Sequence, residues 1–196
     1  METLINIDQA LAQAINALAG RFWLLDEIVK GVANDYFLIV SASLGLLLLW
    51  FGTIDPARRE TNQKIALQAM ASLGLGTWVV AIFNSAIFRS RPFDEIPITV
   101  LLYQPTDSSF PANSATILFA IAAAVWLGNR KAGRLFFIVA AVHSLARIYA
   151  GMYYPLDILG GAVIGIITAL IVFVLFQTIN PIVNWLLRQA RKLFLA

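Results

Sequence analysis

Arg147 and Asp157 lie inside or at the edge of long apolar runs, where a charged side chain is expensive and needs a partner or a ligand. Arg91, followed by Pro92, closes another apolar run. The alternation of apolar and polar segments puts Arg91 and Arg147 on one side of a bilayer, so their guanidinium groups are expected to converge. Two convergent guanidinium groups in a membrane cavity hold a phosphate-like oxyanion through forked hydrogen bonds. The plainer alternative is an ion pair between Arg147 and Asp157 across the turn between their helices.

Other polar residues nearby read more plainly. His143, the only histidine, precedes Arg147 by one helical turn and is expected to be satisfied inside a helix bundle. Arg89 and Asn113 are expected to supplement anion binding, with a solvated rim the equal alternative for Arg89. Asp94, Glu95 and Asp107 share one polar loop, where a bridging divalent cation is the alternative to simple solvation. With no cysteine, a thiolate nucleophile, a disulfide framework and a cysteine metal site are all excluded. No cofactor or metal is implied, and the tryptophans suit interfacial or packing roles.

The elements that must position these residues are apolar helices. The chain is 60% hydrophobic and 13% charged, with mean hydropathy +0.78, against about 25% charged residues in a soluble domain. Its net charge of +3 is spread over separate loops, which reads as membrane topology and not as a nucleic-acid surface. The pattern predicts an all-α, polytopic membrane helix bundle forming one domain over residues 1–196. About five spans are expected, near 33–51, 65–88, 114–127, 135–150 and 156–176, within a core of 33–178. Residues 1–32 read as an amphipathic segment lying at the interface, without the basic n-region of a cleaved signal peptide. Residues 181–196, with Arg188, Arg191 and Lys192 among apolar residues, read as a cytoplasmic interfacial helix. Arg58, Arg59 and Lys64, then Arg130, Lys131 and Arg134, then the basic tail, mark the cytoplasmic side. The N-terminus and the arginine site therefore belong outside. Gly160, Gly161 and Gly165 are expected to let helices approach closely.

Three separated stretches resemble the type 2 phosphatidic acid phosphatase superfamily of membrane lipid phosphatases. That family carries K-x6-R-P, P-S-G-H and S-R-x5-H-x3-D. The chain has Asn84-x6-Arg91-Pro92, then Pro111-Ala112-Asn113-Ser114, then Ala146-Arg147-x5-Tyr153-x3-Asp157. The run from Tyr154 to Ala162, Tyr-Pro-Leu-Asp-Ile-Leu-Gly-Gly-Ala, is similar to the start of the family's last core helix. Its short length, early amphipathic segment and Arg91-Pro92-Phe93 run look most like the bacterial undecaprenyl-diphosphate phosphatases, and so imply the bacterial inner membrane.

The resemblance implies roles by position. Tyr153 stands where the family has its nucleophilic histidine, Ser114 where it has its proton donor, and Asp157 where an aspartate orients the nucleophile. Arg91 and Arg147 match the phosphate-binding arginines, while Asn84, Ala112 and Asn113 fill the remaining phosphate-binding positions. A phenol with a pKa near 10 is a poorer nucleophile at neutral pH than an imidazole near 6.5, and serine is no general acid. The expected function is binding of a polyprenyl or glycerolipid phosphate or diphosphate at an outward-facing site, among membrane lipids, with the family's hydrolysis impaired. A non-catalytic phospholipid-binding or lipid-translocating protein is the alternative.

Overall fold

The computed structural model describes residues 2–192, with the backbone alone for 190–192. Among the described residues it is helical, without a strand. In chain order the helices are α1 (Glu2–Asn16), α2 (Trp23–Ala33), α3 (Asp35–Phe51), α4 (Pro56–Ala86), the short α5 (Pro92–Glu95), α6 (Asn113–Gly128), α7 (Arg130–Tyr149), α8 (Pro155–Thr178) and α9 (Asn180–Lys192).

Local capping explains where the helices depart from the expected bounds. Asn34 accepts hydrogen bonds from the backbone of Tyr36 and Phe37, so α3 starts afresh there, and α2 meets it at a 54° bend. Asp55 accepts from Ala57 N–H and Pro56 occupies the first helical turn, so α4 begins well before residue 65 and carries Arg58, Arg59 and Lys64 as helix. Asn129 likewise caps α7 through Ala132 N–H, five residues ahead of the expected start. Three helices, α4, α7 and α8, are long and apolar enough to cross a membrane, and the bent α2–α3 pair makes a fourth candidate. The apolar α6 has 16 residues.

Five helices run between two ends of the bundle. Asp35 on α3, Asn113 on α6, Arg147 on α7 and Tyr153 just before α8 lie at one end. Thr53, Arg58 on α4 and Gly128 at the end of α6 lie together at the other. Thus α3, α6 and α8 lead away from the first end, and α4 and α7 lead toward it. At the centre, α6 packs most extensively on α8 and then on α7 and α4. That close fit depends on glycine: a Cβ at Gly161 would fall 2.4 Å from the Ala112 carbonyl oxygen, and one at Gly165 would fall 2.5 Å from that of Thr116. Alanines 115, 120, 122 and 124 on α6 are fully enclosed by the same packing.

The N-terminal helices dock polar side inward. Asp8, Asn16 and Asp26 are buried, whereas Leu4, Ile7 and Leu11 are exposed. Asn16 donates to the carbonyls of Thr99 and Tyr149 at 2.7 Å and accepts from Thr99 N–H, and Asp26 accepts from the Tyr149 hydroxyl at 2.9 Å. The amphipathic reading of 1–32 is therefore refined: Asp8 and Asp26 face protein, while Glu2 and Glu27 stay exposed. In α9, Val183 and Leu187 are buried and Trp185 is exposed. Residues 193–196 of the expected terminal helix lie outside the described residues, as does Met1.

Candidate anion-binding site

The end of the bundle that gathers the arginines contains a cavity of about 230 Å³. Arg91 enters from the loop after α4, its backbone N–H taken by the Asp94 carboxylate at 3.3 Å as α5 begins. Its guanidinium donates to the Met152 carbonyl at 2.9 Å, to the Asp107 carbonyl at 3.1 Å and to the Asp107 carboxylate at 2.8 Å. Arg147, in the last turn of α7, donates to the Ala33 carbonyl at 3.0 Å and pairs with Asp35 at 2.9 Å. Both arginines are 2% exposed, and their guanidinium carbons lie over the Tyr153 ring at 4.6 and 5.2 Å. Asn113 and Ser114, in the first turn of α6, complete the wall.

The charges on the wall balance. Arg91 and Arg147 pair with Asp107 and Asp35, so each guanidinium already has a carboxylate in place. Three buried polar atoms of this one cavity have no hydrogen-bond partner: Asn113 Oδ1, Ser114 Oγ and Arg147 Nε. Buried polar atoms are nearly always satisfied, so three orphans on one cavity wall leave hydrogen-bonding capacity that a water or a ligand can take up. The first turn of α6 adds backbone N–H groups that no capping side chain occupies, a favourable setting for negative charge.

Asp157 does not line this cavity. Its carboxylate accepts from Tyr154 N–H at 2.9 Å, closing the first turn of α8, and pairs with Arg89 at 2.5 Å. Arg89 also pairs with Asp8 at 2.6 Å, and Asp8 accepts from Leu156 N–H. The ion pair between Arg147 and Asp157 is not formed, because each has a nearer partner. Arg89 is no solvated rim: burial works against its charge, yet Asp157 and Asp8 more than offset this and hold its pKa above the usual arginine value.

The remaining candidates scatter. Ala112 is fully buried ahead of α6, where its N–H donates to the Asp157 carbonyl at 3.1 Å. Asn84 sits in the last turn of α4 with its Oδ1 buried and unpartnered, away from the cavity wall. His143 is fully buried inside the bundle with Nδ1 2.9 Å from the Val32 carbonyl, but it is not fully satisfied, because its Nε2 is buried without a partner. Asp94 and Asp107 serve Arg91, and Glu95 accepts from the Tyr154 hydroxyl at 3.4 Å. Asp35 and Tyr103 are cavity residues that the sequence reading did not single out. The Tyr103 hydroxyl donates to Asp35, and burial followed by that carboxylate raises its pKa above the ordinary tyrosine value. An isolated acid at the head of an apolar run, as Asp35 is, was the available signal.

A model of the PAP2 superfamily matches residues 65–181, from within α4 through α8. The chain belongs to the PAP2 superfamily. Over 177 residues it is 29% identical to the undecaprenyl-diphosphatase BcrC of Bacillus subtilis (strain 168), covering 90% of this chain and 88% of that one. The crystal structure of Aquifex aeolicus LpxE superposes with a TM-score of 0.65 at 26% identity, over 84% of this chain and 93% of that one. The first transmembrane PAP2-type phosphatidylglycerolphosphate phosphatase of Bacillus subtilis shares the fold with a TM-score of 0.66, at 19% identity over 91% and 89% of the two chains. With its apolar helices and these membrane relatives, this PAP2 chain is an integral membrane protein. Within the PAP2 bundle, Arg91, Arg147, Tyr153, Asn113 and Ser114 share one cavity, while Asp157 faces Arg89 behind it.

Proposed function

We propose that the cavity binds the phosphate or diphosphate head group of a polyprenyl or glycerolipid, with undecaprenyl diphosphate foremost, and that hydrolysis there is impaired. The observation that carries this is the convergence of Arg91 and Arg147 over Tyr153, beside the orphaned atoms of Asn113, Ser114 and Arg147. The relative that acts as an undecaprenyl-diphosphatase supports the choice of lipid.

Hydrolysis by the family's route needs a nucleophile to attack phosphorus and a proton for the departing oxygen. The Tyr153 phenol must first lose its own proton, and the cavity has no free base to take it. Asp157 is committed to Arg89 and the Tyr154 N–H, while Asp35 and Asp107 are neutralised by the arginines. His143 stands outside the wall. Loss of a nucleophile or its proton partner commonly costs on the order of 10⁴ to 10⁶ in turnover.

The deciding experiment measures phosphate binding and phosphate release from undecaprenyl diphosphate and phosphatidic acid, for the chain as it is and for Ser114→His with Tyr153→His. Binding with little release is expected, together with partial recovery in the double variant. Normal turnover of the unaltered chain would overturn the impaired reading, and phosphate affinity unchanged by Arg147→Ala would overturn the site.

The same proposal places one membrane domain with about five crossings in a bacterial inner membrane, the N-terminus and cavity outside and the C-terminus in the cytoplasm. Support comes from the five alternating helices and from the basic first turns of α4 and α7 at the end opposite the cavity.

A further inference from the structure

We propose that the far end of the bundle holds a second lipid, an anionic glycerophospholipid of the opposite leaflet, with its phosphate at Arg59 and one acyl chain between α3 and α4. The site is independent of the arginine cavity, from which it is separated by most of the length of α3. Asp35 belongs to the cavity and Trp50 to the groove, about 22 Å apart at helical rise.

Two cavities, with no lining residue in common, flank the first half of α4. An apolar groove of about 360 Å³ is walled by Leu46, Leu47 and Trp50 of α3 and by Ala66, Met70 and Leu73 of α4. A polar hollow of about 540 Å³ adjoins Thr53, Arg58, Thr61, Asn62 and Asn129. Positions 59, 63, 66, 70 and 73 are spaced by four and three residues, so they form one stripe along α4. Reading down that stripe, Arg59 and Gln63 precede the apolar wall. Arg59 Nε is buried and unpartnered, and Gln63, 0% exposed, has neither amide atom hydrogen-bonded. An unpartnered cationic nitrogen two turns before the apolar wall, on the same stripe of α4, matches a charged head group above a chain, with the enclosed Gln63 between them on the helix.

The sign of charge selects an anionic lipid. Across residues 53–64 and 128–134 there are six basic side chains and two carboxylates. The two acids, Asp55 and Glu60, already pair with Arg58 and Lys64, which leaves Arg59, Arg130, Lys131 and Arg134 in excess. Basic pockets between helices at a membrane surface favour anionic head groups, each charge adding to the attraction. Depth selects the leaflet, because the groove lies in the half of the bundle away from Arg91 and Arg147.

The test uses the full chain in nanodiscs of phosphatidylcholine containing phosphatidylglycerol, with the annular lipid identified by native mass spectrometry. Phosphatidylglycerol should be enriched over phosphatidylcholine, Arg59→Gln should lower that enrichment about fivefold, and Met70→Trp should displace the lipid whatever its head group. Met70 is exposed, so the bulkier side chain leaves the fold intact and fills only the groove. Phosphate affinity at the Arg91 and Arg147 cavity should be unchanged in both variants. Equal retention of the two lipids, or enrichment unaffected by either variant, would overturn the proposal. So would thermal protection by inorganic phosphate equal to that given by phosphatidylglycerol. Weaker binding of long-chain ligand at the arginine cavity in Met70→Trp would instead make the groove a tail channel of that cavity, and overturn it too.

Discussion

Arg147 and Arg91 each give up an internal carboxylate when an anion binds, so their contributions are net quantities. Replacing either by alanine removes hydrogen bonds to a charged group worth about 1.5–3 kcal/mol, and calorimetry should show phosphate affinity falling roughly 10- to 100-fold. Asp107 is the competitor most open to solvent. Asp107→Asn should therefore raise phosphate affinity by about two- to fivefold, the scale of an exposed pair, in the same titration. Tyr154 gives a pH signature. Burial, then the nearby Glu95 carboxylate, pushes its phenol from the ordinary 10 up to about 12. The folded state therefore keeps a proton that the unfolded chain releases, and the stability linked to this phenol is present below pH 10 and lost as pH rises toward 12. Thermal unfolding across that window should become less pH-dependent in Tyr154→Phe. At this scale the topology of the apolar runs was enough to expect Arg91 and Arg147 together, and the order of the family-like motifs added Asn113, Ser114 and Tyr153. Pairing was not legible: nothing in the chain says that Asp157 takes Arg89, or Arg147 takes Asp35, because each charge had several candidates at similar distance along the sequence.

Helix α6 is short because it runs through the middle of the bundle, where alanines and the glycines of α8 let its neighbours close in. Gly165→Val would drive a side chain into the Thr116 carbonyl, so a loss of about 3 kcal/mol or failure to fold is expected, read as a lower detergent-solubilised melting temperature. The run of small residues announced this packing in the sequence. The break at Asn34 falls within two residues of the expected boundary between 1–32 and 33–51, although the cap that makes it emerges only from the conformation of Asn34 itself. The inward-facing acid of α1, Asp8, was hidden. A helix with one polar and one apolar face has the same periodicity whether the polar face meets water or protein, and only the position of Arg89 decides it.

Across the whole molecule, the absence of cysteine makes orientation directly measurable. Single cysteines at Gln104 and at Lys131 should be labelled by impermeant maleimide from opposite sides of intact cells, Gln104 from outside; labelling of both from one side would sink the topology. The family and the helical class were legible from motif order and hydropathy, because both survive substitution of individual catalytic residues. The docking of α1 has one more consequence. Its hold on the bundle is polar while its outer face is apolar, the reverse of a helix on a water-soluble protein. Agents that dissolve oily surface leave that hold intact, whereas urea, which solvates polar and peptide groups, attacks it directly, and salt hardly reaches its enclosed ion pair. The N-terminal helix should thus be the first part shed in urea washes, exposing Arg89 while the detergent-solvated bundle still stands.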